Sequence, residues 1–65
     1  MQKVFAGTLC RDQEGWLYLE TSIGDRYRLV EPQTLTLAET REKVKTDELQ
    51  DYHYGIVVVA TCQLD

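Results

Sequence analysis

Sixty-five residues allow a single domain, expected to span 1–65. Seven Lys and Arg against eleven Asp and Glu give a net charge of −4, and with 43% hydrophobic residues and one Pro the composition is that of an acidic folded globule, not a disordered chain. Multidomain enzymes, collagens and disulfide-dense toxins are excluded, and the longest apolar run, Ile56 to Ala60, is far too short to span a membrane. The opening Met1-Gln2-Lys3-Val4 lacks an apolar signal region, so a cytoplasmic protein is expected.

In chain order, residues 2–10 read as a strand whose interior Gly7 marks a bulge or tight bend. The polar run Arg11 to Gly15 is a turn. Trp16 to Thr21 and Arg26 to Glu31 are two strands joined at Ser22-Ile23-Gly24-Asp25, forming a β-hairpin that Pro32 ends. Gln33 to Leu37 fits a short strand, although Thr36-Leu37-Ala38-Glu39 also fits a helix capping box. Ala38 to Tyr52 contains good helix formers but only a thin apolar stripe, so a short exposed helix or irregular insertion is expected between about 33 and 53. Tyr54 to Leu64 is apolar in both parities, which predicts a central strand covered on both faces, or on one face by a second molecule. The sum is an all-β or mostly β fold, a small five-stranded curled sheet or barrel of the OB or SH3-like kind.

Gly7-Thr8-Leu9, Tyr18-Leu19, Gly24-Asp25-Arg26-Tyr27-Arg28-Leu29 and Gly55-Ile56-Val57-Val58-Val59-Ala60-Thr61 together resemble small bacterial OB-like barrel proteins of unknown function. The likeness covers about two thirds of the chain, omits 33–53, and departs at Ala60-Thr61-Cys62, where those proteins carry Val-Thr-Gly. It implies a fold and no activity, since one fold hosts many functions.

Strand parity carries the sharpest functional inference. With Leu17, Leu19, Tyr27 and Leu29 inward, Trp16, Tyr18, Arg26 and Arg28 share the outward face of the hairpin. Aromatic and arginine side chains together suit protein hot spots, and they also suit single-stranded bases or oligosaccharides on an OB-type barrel. The plainer alternative is a partly buried Trp16 and Tyr18 beside solvated arginines. The net charge ranks a protein partner above nucleic acid, whose affinity comes mainly from Lys and Arg.

Glu39, Glu42, Asp47, Glu48 and Asp51 form an acidic stretch, read either as a solvated face or as a patch that docks on a basic surface. The second reading includes a phage-type acidic inhibitor of a nucleic-acid-processing enzyme. No Ca²⁺ loop or zinc spacing occurs, and the single His53 with Cys10 and Cys62 makes no metal motif, so no metal or cofactor is expected. The two cysteines read as reduced thiols, with a terminal-strand disulfide as the alternative. No Gly-rich phosphate loop or nucleophile–base arrangement stands out, so the chain is expected not to be an enzyme. The expectation is a non-catalytic interaction module, accessory or inhibitory to a larger protein, with a homodimer through the last strand as a further form.

Overall fold

The computed structural model describes residues 1–64. The chain forms one six-stranded antiparallel sheet: β1 (Gln2–Arg11), β2 (Leu17–Glu20), β3 (Arg26–Arg28), β4 (Thr34–Leu37), β5 (Lys43–Lys45) and β6 (Val57–Gln63). The strands lie in the order β3-β2-β1-β6-β4-β5. Two single-turn 3₁₀ segments, Thr46–Glu48 and Asp51–His53, connect β5 to β6. The mostly β, curled architecture is the one that the alternating pattern demands. Among the described residues there are six strands where the sequence reading has five, because the expected insertion contains β5. The same region holds 3₁₀ turns and no α-helix.

β1 is long because its two halves serve different neighbours. Gln2 to Thr8 pair with β6, and Thr8 to Arg11 pair with β2, so Thr8 stands opposite both Val57 and Glu20. Gly7 lies at this changeover on the inner face. A Cβ there would come within 3.1 Å of both the Leu19 Cβ and the Glu20 carbonyl oxygen. A hydrogen in place of a side chain therefore lets β2 pack directly on β1 and lets the sheet curl. Past Thr8, the Leu9 N–H donates to the Ile56 carbonyl at 2.9 Å and the Gly55 N–H to the Leu9 carbonyl at 2.8 Å. Two residues thus oppose one, a β-bulge, with Gly55 at φ 91° supplying the left-handed backbone.

After β3 the chain returns to β6. Leu29 bridges Cys62, and the Val30 N–H donates to the Thr61 carbonyl at 3.0 Å. One bridge does not close the sheet, and the barrel stays loose. A cis Glu31–Pro32 bond then turns the chain into β4, which pairs with β6 at Val58 and Val59. β6 is central, as its apolar run predicts, with β1 on one edge and β4 on the other. Strand pairing between β6 and a second copy would have to displace one of them.

The interior is built from one parity of each strand. Leu9, Leu17, Leu19, Leu29, Leu35, Leu37, Val58, Ala60 and Cys62 are buried together, with Phe5, Tyr27, Val44, Leu49 and Tyr54 packed against them. Each fully buried aliphatic side chain stabilises the fold by about 1.5–3 kcal/mol. The opposite parity of β6 is not covered: Val57 is 48% exposed, and Val4 on β1 is 61% exposed.

Candidate functional site

The hairpin face begins with a turn held by Asp12. Its Oδ1 accepts the N–H groups of Glu14 and Trp16, both at 2.9 Å, while its own N–H donates to the Trp16 carbonyl at 3.0 Å. An aspartate making this local ring is the ordinary device for a tight polar turn. Here it also fixes the backbone from which Trp16 projects. Parity arguments pass over Asp12; the signal for it is the run Asp12-Gln13-Glu14-Gly15, with Gly15 at φ 91°. At the far end of β2, the Thr21 hydroxyl accepts the Asp25 N–H at 3.1 Å and sets the second turn.

Between these turns the register places Tyr18 opposite Arg28 and Glu20 opposite Arg26. Trp16, Tyr18, Arg26 and Arg28 stand on one side of the hairpin while Leu17, Leu19 and Leu29 are buried on the other. The Arg28 guanidinium lies 3.5 Å from the centre of the Trp16 ring, and that of Arg26 lies 5.0 Å from the Tyr18 ring. Such diagonal cross-strand pairs are within reach of long side chains, and each cation over an exposed ring contributes about 0.5–1 kcal/mol. Trp16 remains 47% exposed. The cations are not free of counter-charge. Arg26 pairs with Glu20 at 3.4 Å, and the groove of about 360 Å³ holding Trp16, Arg26 and Arg28 also takes Asp12 and Glu14 into its wall. Beside Tyr18 on β1 stands Cys10. Loss of solvent around the ring, then the nearby Cys10 thiol, pushes the Tyr18 phenol up from its ordinary value.

The acidic residues do not form one patch. Glu39 and Glu42 sit in the turn between β4 and β5, whereas Asp47 and Glu48 follow β5 at its other end and Asp51 opens the second 3₁₀ turn. All five are exposed, and the β5 lysines Lys43 and Lys45 stand between the two groups. The hairpin separates what a helix would have gathered.

His53 is 4% exposed, and its Nδ1 accepts the Gln50 N–H at 2.9 Å, closing a reciprocal cap on its own turn. Cys10 is half-buried beside the outward Tyr18 and Cys62 is fully buried in the core; both thiols are free. Burial pushes the Cys62 thiol up to about 11. Among the described residues no group of three His, Cys, Asp or Glu is placed to hold a metal ion, and no helix is long and apolar enough to cross a membrane.

No protein-family model matches the chain, and no curated protein or solved structure matches it significantly. The structure is a small, mostly β, loosely curled sheet with an exposed aromatic and arginine hairpin face.

Proposed function

We propose that this chain is a non-catalytic protein-interaction module, accessory or inhibitory to a larger partner, that docks through Trp16, Tyr18, Arg26 and Arg28. The observation that carries the reading is the Arg28 guanidinium stacked 3.5 Å over the half-exposed Trp16 ring. That stack is an ordered plate of apolar and donor surface, and tryptophan, tyrosine and arginine are the residues that dominate protein hot spots. Asp12, Glu14 and Glu20 beside two arginines give the groove mixed charge. A polyphosphate backbone would meet carboxylates there, whereas a protein surface of mixed charge would be matched. The acidic turns at the two ends of β5, on the opposite edge of the sheet, would speed approach to a basic surface, as an inhibitor of a nucleic-acid-processing enzyme requires. The same reading places the loose barrel with OB or SH3-like modules and the protein in the cytoplasm. The exposed Trp16 ring alone would also suit a single-stranded nucleic acid or an oligosaccharide, and the carboxylates weigh against the first of these.

The test is capture of binding proteins by the intact chain, by Trp16→Ala/Arg28→Ala, and by Lys43→Ala/Lys45→Ala as a control on the opposite edge. All three are checked for folding by circular dichroism. A partner retained by the wild type and the control and lost by the first pair is the expected result. A partner retained by all three contradicts the reading.

A further inference from the structure

The outer side of β1, β6 and β4 is an apolar stripe that nothing within the chain covers. The register joins its side chains into rows: Val4 beside Thr61, Ala6 beside Val59 with Thr36 beyond, and Thr8 beside Val57. Val4, Ala6 and Val57 are exposed, and the threonines and Val59 are half-buried. At the Val57 end the rows run into a shallow cleft of about 560 Å³, which adds the exposed Ala38 and Ile56 and has Glu39 in its wall. Among the described residues no outward position of these three strands is charged, in a chain that is 28% charged. Charge begins at the borders. Glu20, paired with Arg26, stands beside Thr8, and Lys43 stands beside Thr36.

Composition, charge and size specify the occupant. Apolar surface without charge is the make-up of contacts between identical chains, whereas docking on a foreign protein draws on Trp, Tyr and Arg, and the rows contain none of these. The chain carries a net charge of −4, so two copies repel one another. A face free of charge is where they can touch without setting like charges together. Three strands about 4.8 Å apart, over the seven residues of β6 at about 3.3 Å each, give a face of roughly 300 Å² in projection. That is a patch of functional size, yet well short of the about 800 Å² per partner of a tight complex. We infer that this stripe is a self-association surface on which two copies pack face to face about a two-fold axis, in a weak, rapidly exchanging dimer. Face packing leaves the β6 pairings with β1 and β4 intact, which edge pairing would not. The inference is independent of the hairpin face, because Trp16 and Arg28 lie outside the stripe.

The test is sedimentation equilibrium of the full chain between about 10 μM and about 1 mM, the span in which so small an interface is expected to act. The apparent mass should rise with concentration toward that of a dimer. Added salt should strengthen the association, because it screens the repulsion between two acidic chains and no ion pair crosses the stripe to be weakened. Val4→Thr/Val57→Thr keeps the branched shape that suits a strand and should weaken the dimer about tenfold. Val4→Lys/Val57→Lys should abolish it, although the added lysines bring the net charge nearer zero. Glu42→Lys, in an exposed turn outside the stripe, makes the same change of charge and should leave the dimer as strong or stronger. Circular dichroism checks that every variant is folded. A chain that stays monomeric to about 1 mM, an association that salt weakens, or equal loss in Glu42→Lys and Val4→Lys/Val57→Lys would overturn the inference. So would a monomer whose Val4→Thr/Val57→Thr variant loses a different captured protein, since the stripe would then belong to that protein.

Discussion

The side-chain amide of Gln33 pairs with the main chain of Thr61 as a neighbouring strand would. Its Nε2 donates to the Thr61 carbonyl at 2.7 Å, and its Oε1 accepts the Thr61 N–H at 2.8 Å. The same Nε2 donates to the Val30 carbonyl at 2.6 Å. On this edge of β6 the chain at Leu29 and Val30 ends and β4 has not yet begun, so one side chain bridges the break. Gln33→Ala should destabilise the protein by about 2–3 kcal/mol, because each lost bond is worth about 1 kcal/mol and part-buried backbone groups are left unpaired. In a domain this small that is a fall in Tm of roughly 10 °C or more, read by thermal denaturation. Gln33→Glu keeps the acceptor and loses the donor. Its carboxylate would face two carbonyl oxygens, so its folded-state pKa should be raised. The variant should therefore approach wild-type stability in acid and lose it as pH rises through that pKa. A pH-independent difference would contradict the pairing.

Gly7 tests the curl of the sheet. Gly7→Ala sets a methyl group 3.1 Å from backbone and side-chain atoms of β2. The strands must part, at about 1–3 kcal/mol. Chemical denaturation should show the loss, and amide shifts should change along Leu19 and Glu20. A neutral Gly7→Ala would mean that β2 does not pack on β1 as described.

The cysteines should behave oppositely toward alkylation near pH 8. Cys62, fully buried with its thiol pushed up to about 11, should label only on unfolding. Cys10, half-buried beside Tyr18, should label in the folded protein. The sign of the stability effect follows from the same shift. The folded thiol holds its proton more tightly than the unfolded one, so stability from this group is full below the unfolded value of 9.0 and lost as pH rises toward about 11. Cys62→Ala should remove that slope. Labelling of both thiols at equal rates would contradict the inward placement of Cys62.

Much of this was legible because the hairpin obeys a period of two. Leu17 and Leu19 alternate with Trp16 and Tyr18, and Tyr27 and Leu29 alternate with Arg26 and Arg28, so burying the leucines dictates the outward set. The apolar run of β6 marked a central strand, but the cover on both faces that it implied is missing, since Val57 on the outer face is 48% exposed. β5 was not legible. Val44 is its one apolar residue, between two lysines in a stretch of helix formers, and it is a strand only because Leu35 of β4 lies opposite. The acidic residues looked like one patch because a helix there would have gathered them. Gln33 gave no signal, since nothing local marks a glutamine whose partner is 28 residues away. Nothing in the sequence marked His53 as buried; its burial goes with capping its own turn.

The emission of Trp16, the one tryptophan, tests the central claim most directly. The free protein should emit in the red, be open to acrylamide quenching, and become more so in Arg28→Ala, which uncovers the ring. Single-stranded oligonucleotide at low salt should leave the emission unchanged, whereas a captured protein partner should shift it to the blue. A blue, unquenchable emission in the free protein would contradict the exposed face. Quenching by oligonucleotide that disappears with added salt would contradict the preference for a protein partner.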